Sequence, residues 1–160
     1  MRVILFASIL VLIANFSSNI FARTSNINKA LTTSEMIKIC QIEQDSWSIP
    51  EVIEVSMDSF KFVPEDIVFQ KCRPYHLILT NDSGVPHNFI AKDFFKTVLL
   101  KSDSGAVGVM TDVTMKKLDL KGHEKTELIF MPVVVGEYSL KCTHFGHAVM
   151  GMKGSIVVAE

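Results

Sequence analysis

The sequence predicts an all-β sandwich interrupted by a short helical excursion. Short runs of alternating apolar and polar residues recur from residue 51 onward, the period of a strand buried on one face. Turn residues punctuate those runs, as at Asn81-Asp82-Ser83-Gly84 and from Pro132 to Gly136, which is the spacing of a sandwich. A chain of 160 residues, 48% of them hydrophobic, is long enough for one domain with its own core. Eight Gly and five Pro speak against low complexity, and no internal repeat is present. A formal net charge of -1 points to neither nucleic acid nor an acidic membrane surface as the main partner.

Met1-Arg2 precedes an apolar run from Val3 to Phe16, then Ser17-Ser18-Asn19-Ile20-Phe21-Ala22. A charged start, a short apolar stretch and a small residue at a polar boundary form a secretory signal peptide over 1–22. The run is short of the ~20 residues that span a bilayer, which favours export; retention as a membrane anchor is the alternative. Cleavage would remove Arg2 and take the formal charge from -1 to -2. Residues 23–50 are mixed and polar, an N-terminal arm or a short helix beginning at Ser34. The domain proper is expected over 51–160.

Ile53, Val55 and Met57 alternate with polar neighbours, and short strands follow at Phe60 to Val63, Ile67 to Gln70 and Tyr75 to Thr80. Pro86 to Ala91 reads as the next strand. Phe94, Phe95, Val98 and Leu99 then fall at helical spacing, so an excursion of helix and loop is expected at about 92–114. Strands resume near Met115 to Leu120 and from Thr126 to Met131. Tyr138, Leu140 and Cys142 share the apolar face of a further strand, and Ser155 to Val158 forms the last.

Between those two strands lies Cys142-Thr143-His144-Phe145-Gly146-His147-Ala148-Val149-Met150-Gly151-Met152, which crowds a thiol, imidazoles and thioethers into one loop. Upstream, Pro86-His87-Asn88-Phe89 adds another imidazole. Singly, a Cys is usually a small core residue and a Met a gap-filler. Jointly, soft thiolate and thioether with imidazole suit copper in both oxidation states. Zinc held by His87, Cys142, His147 and a water is the competing reading, with Met152 then merely packed. Gly146 and Gly151 give the backbone freedom to curl around an ion. If Cys142 holds metal, Cys40 and Cys72 are the remaining pair and could bond in an oxidising compartment; the sequence leaves open whether they approach.

Pro-His-Asn-Phe followed much later by Cys-x4-His-x4-Met-x-Gly resembles the cupredoxins, the small blue copper proteins. The stretch from Gly146 to Val158 is most similar to rusticyanin-like and related bacterial members. The resemblance covers about residues 50 to 160 and implies a Greek-key barrel holding one type 1 copper ion. It makes His87 and His147 the imidazole ligands, Cys142 the thiolate and Met152 the axial thioether, with Met150 a possible competitor. It also implies that Asn88 ties the His87 strand to the Cys142 loop. His144 stands where many members have a proline nearby and is read as a rim residue.

The function this implies is one-electron transfer by an exported protein that is not an enzyme. Phe89, Phe145 and Tyr138 are expected to exclude water, and the edge of His147 to pass electrons. The expected partner is a cytochrome or terminal oxidase; the protein is expected to be a monomer. A copper carrier or chaperone that hands its ion to an acceptor protein is the alternative. Catalysis on a substrate needs an open coordination position. Ser/His/Asp arrangements, phosphate-binding glycine loops and Cys-x-x-Cys motifs are absent from the sequence.

Overall fold

The alternation read from the sequence is realised as two facing sheets in the computed structural model, which describes residues 31–42, 44–109 and 117–160. The expected signal segment, the first part of the arm and the end of the excursion at 110–114 lie outside the described residues. One sheet has six strands in the order β2-β1-β4-β9-β6-β7. These are β1 (Glu51–Asp58), β2 (Lys61–Val63), β4 (Tyr75–Asn81), β6 (Val98–Lys101), β7 (Val107–Val109) and β9 (Lys125–Pro132). The other carries β10 (Gly136–Lys141), β11 (Lys153–Ala159) and β3 (Asp66–Gln70) in that order. A third ladder pairs β5 (His87–Phe89) with β8 (Leu118–Leu120), and a single bridge from Ile90 to Lys141 attaches β5 to β10.

Strand β3 lies in one sheet while its sequence neighbours β2 and β4 lie in the other. Crossing between sheets makes β1 parallel to β4 and β3 parallel to β11, whereas the hairpin-joined pairs are antiparallel. This is the Greek-key sandwich. Val55, Met57, Leu77 and Leu79 from one sheet meet Ile67, Phe69, Leu140, Ile156 and Val158 from the other in the main core. Each such side chain removed from water contributes ~1.5–3 kcal/mol before entropy is counted. Phe69 is the aromatic hub, 4.8 Å from Tyr75, 5.2 Å from Phe130 and 5.5 Å from Phe94 between ring centroids. Those separations suit edge and offset contacts.

The helix expected from Phe94 to Leu99 is instead one turn, α2 (Lys92–Phe95), followed by strand β6. Thr97 ends the turn by donating from both its N–H and its hydroxyl to the Phe94 carbonyl, at 2.8 and 2.7 Å. Strand β6 then inserts between β9 and β7, with Val98 in the main core and Leu99 in a second apolar cluster on the opposite face. A strand covered on both faces reads as a continuous apolar run and loses its period of two, which is why the spacing resembled a helix. The expected loop beyond it contains β7, which pairs with β6.

The second cluster brings Leu99, Met131 and Val133 together with Met36 and Trp47. Met36 sits on α1 (Thr33–Cys40), and Trp47 ends a 3-10 turn (Gln44–Trp47). Thr32, not Ser34, caps α1. Its hydroxyl accepts from the Glu35 N–H, and the Glu35 carboxylate accepts in return from the Thr32 N–H, a reciprocal box that satisfies two terminal donors. Cys40, at the end of α1, is disulfide-bonded to Cys72, which leaves Cys142 as the free thiol. Cys72 lies in the turn after β3, close to the end of β11 through the bond from Lys71 N–H to the Ala159 carbonyl. It is therefore at the pole opposite the start of β11, where the Cys142 loop ends.

Breaking this bridge by a paired Cys40→Ser, Cys72→Ser change should lower stability by ~3–4 kcal/mol, from the entropy of a loop with a sequence separation of 32. Urea unfolding checks the loss. Metal binding at the opposite pole should be unchanged.

Candidate metal centre

Three neighbouring segments at one end of the sandwich deliver the candidate donors. Strand β5 presents His87, the exit of β10 presents Cys142, and the entry to β11 presents Met152. All three are fully buried. The intervening loop is closed by its own backbone: Cys142 N–H donates to the Met152 carbonyl at 3.1 Å, and Met152 N–H to the His147 carbonyl at 2.9 Å. Gly146 and Gly151 adopt φ of +82° and +105°, the left-handed region in which a side chain would be strained.

Within this frame the donor atoms converge. His87 Nδ1 lies 3.1 Å from His147 Nδ1, and Cys142 Sγ lies 3.5 Å from His147 Nδ1 and 4.0 Å from His87 Nδ1. A triangle with such edges accommodates an ion bonded at ~2.0–2.3 Å to each donor, the usual range for imidazole and thiolate ligands. Among the described residues, this is the group of His, Cys and acidic side chains arranged to hold a metal. Burial pushes the His87 imidazole below its ordinary basicity, and the neighbouring His147 and His144 push it the same way, against a weaker opposing pull from Asp58. His147 is lowered by burial and then by His144. Both imidazoles are thus biased toward the neutral form that binds metal.

The family model for copper binding proteins of the plastocyanin/azurin family matches residues 51–159. The chain belongs to that family, the cupredoxins. Copper is accordingly its metal. Similar solved structures include reduced auracyanin from the photosynthetic bacterium Roseiflexus castenholzii, with 19% identity over 68% of this chain and 97% of that one at a TM-score of 0.49. Auracyanin A, a blue copper protein from Chloroflexus aurantiacus, gives 20% identity over 69% and 99% at 0.46. Auracyanin B gives 22% over 70% and 91% at 0.47. No curated protein matches the chain.

Asn88 links the two halves of this cupredoxin site as the sequence implied. Its side-chain carbonyl accepts from the Thr143 N–H at 2.8 Å, and its amide lies 3.3 Å from both Thr143 Oγ1 and Asp119 Oδ1. His144 is half-buried, with its ring 5.6 Å from His147 and Nε2 3.7 Å from Asp119. It is therefore a half-buried rim residue, set between Asp119 and His147.

The water shield differs from expectation. Phe89 is fully buried, but Phe145 is fully exposed, and Tyr138 packs on Phe94 with its hydroxyl donating to the Val134 carbonyl. Phe145 sits in the loop between His144 and Gly146 and points to solvent. The cover comes from Phe60, 4.8 Å from His147 and 6.3 Å from His87, edge-on to both rings. Phe60 was missed because it is remote in sequence, in the two-residue turn between β1 and β2. Ser59 and Phe60 there have φ of +46° and +65°. Primed hairpin turns demand that region and normally recruit Asn or Gly, so a phenylalanine at such a turn was the available signal. Holding it there costs ~1–2 kcal/mol.

Two outcomes follow from this geometry. Phe60→Ala should admit water and lower the reduction potential of the bound copper, while Phe145→Ala leaves it nearly unchanged; voltammetry of the two variants makes the comparison. For the metal-free protein, His87 has a lower proton affinity folded than unfolded, where its ordinary value is 6.5. Below that pH the unfolded chain takes up more protons, so stability should be full above it and fall as pH drops through it toward the folded value. Urea midpoints on either side of pH 6.5 should show this fall, and His87→Gln should reduce it.

Proposed function

We propose that this protein is an exported one-electron carrier, with His87, Cys142 and His147 holding one type 1 copper ion and Met152 as the weak axial donor. The observation that carries the reading is the convergence of two imidazole nitrogens and a buried thiol within 4.8 Å of one another. When bound, copper supplies the electron step by alternating between Cu(I) and Cu(II). The chain's part is to hold the donors still. The bonds that close the loop and the Asn88–Thr143 contact restrict their movement, and a mixed imidazole–thiolate set suits both oxidation states.

His147 is only partly buried, and exposed Phe145, Val149 and Met150 stand beside it in the loop. An apolar rim around a partly exposed ligand suits brief docking of a redox protein, such as a cytochrome or terminal oxidase. Neither a nucleic-acid partner nor a substrate reaction is part of this reading, and the carrier is proposed to act as a monomer. Export by the segment at 1–22 is supported by the Cys40–Cys72 disulfide, which suits an oxidising compartment. None of the described helices is long and apolar enough to cross a membrane.

Copper carriage is the second reading, favoured by His144 beside His147 and by the exposed thioether of Met150. The test combines spectra with transfer. Cys142→Ser should abolish the intense thiolate-to-Cu(II) band of a protein that still folds; a retained band refutes the ligand set. Met152→Leu should keep the band and raise the potential, with Met150→Leu having a much smaller effect. Rapid surrender of Cu(I) to a competing chelator, with slow electron exchange, would favour carriage.

A further inference from the structure

Most histidines that bind metal are oriented by a hydrogen bond from their second ring nitrogen. His87 has none: its Nε2 is buried and without a partner among the described residues. Its strand is also weakly held. β5 spans three residues, paired with three of β8 and followed by one bridge at Ile90. Something other than the imidazole's own bonding must set where His87 sits.

The turn leading into β5 supplies it. Asn81 ends β4 and is completely buried. Its side-chain amide donates to the carbonyls of Val85 at 2.8 Å, Lys121 at 2.9 Å and Leu120 at 3.3 Å. Its side-chain oxygen accepts from the Ser83 N–H at 3.1 Å and the Ser83 hydroxyl at 2.8 Å. Val85 lies two residues before His87, and Leu120 is the residue opposite His87 in the β5–β8 ladder. One side chain therefore grips the approach to His87 and its cross-strand partner together.

The backbone around this grip is equally tight. Asn81 N–H donates to the Glu124 carbonyl at 2.8 Å, and His123 N–H to the Ser83 carbonyl at 3.1 Å. A Cβ at Gly122 would stand 2.6 Å from the Gly84 carbonyl oxygen, so the two turns touch main chain to main chain. Every polar atom of the Asn81 side chain is used, and removing it would strand the buried Leu120 carbonyl.

We infer that Asn81 is the positioning residue for the His87 ligand, clamping the turn at 82–86 to the turn at 121–124 and so placing an imidazole whose second ring nitrogen has no partner among the described residues. The inference rests on His87 being a copper ligand. Asn88 fixes the distance from β5 to the Cys142 loop, whereas Asn81 fixes where β5 begins.

The test uses Asn81→Ala in the full chain, with Met131→Ala as a control that loosens the second cluster without touching the site. Trp47, the single tryptophan, lies in that second cluster and reports folding through its fluorescence. The expected result is that Asn81→Ala weakens Cu(I) affinity by about tenfold or more, measured against a chromogenic Cu(I) chelator, and shifts the thiolate-to-Cu(II) band. Met131→Ala should lower the melting temperature but move neither. Unchanged affinity and band in folded Asn81→Ala would overturn the inference. If Asn81→Ala does not fold, Ser83→Ala decides: it removes one bond to Asn81 and should shift the band in the same direction by less, and no shift overturns the inference. His87→Ala separates the two levels, because a copper spectrum unchanged in that variant refutes the ligand assignment itself, whatever Asn81 does.

Discussion

The separation between β5 and the exit of β10 is the dimension on which this protein depends. It decides whether His87 and Cys142 face one point. The Ile90–Lys141 bridge and the Asn88–Thr143 contact span it directly. Neither is strong alone, since a net hydrogen bond contributes ~0.5–1.5 kcal/mol. Their effect comes from what they join, because each strand is already anchored elsewhere: β10 along its whole length to β11, and β5 through its turn to the β8–β9 connection. Rigid elements joined by short ties hold a geometry better than long loops joined by many.

This arrangement also explains the electrostatics. Bringing three imidazoles and a thiol to one buried end disfavours protonation of His87 and His147 by desolvation and mutual repulsion. The His87 and His147 imidazoles of the metal-free chain are biased toward their neutral form before any ion arrives. The cost of collecting unpaired polar groups is offset by the apolar core beneath, to which Cys142 and Met152 themselves belong. The second cluster, under α1 and the disulfide, stabilises the same sheet from its other face without approaching the site.

Much was legible in the sequence because the decisive information is local. Cys142, His147 and Met152 share one loop between two recognisable strands, and a short loop leaves few ways to arrange its donors. The alternation of Val55 and Met57, of Leu77 and Leu79, and of Ile156 and Val158 determined which faces turn inward, since a strand's period leaves no other choice. Asn88 was readable from its place beside His87.

What required the tertiary structure was everything decided by contact between distant segments. Phe60 covers His147, and Asn81 governs the approach to His87, only because crossing connections bring three turns to one end of the sandwich. Phe145 faces solvent although its sequence is as apolar as that of the residues that shield the site. Strand β6 imitated a helix because both its faces are covered, a fact that belongs to α1 and the opposite sheet rather than to β6 itself. Cys40 and Cys72 bond because α1 packs over Met131 and Leu99 and ends beside the turn after β3. The sequence by itself determined the candidate donors and the inward faces, which are properties of neighbours along the chain; the fold decided the shield, the clamp and the staple, which are properties of neighbours in space.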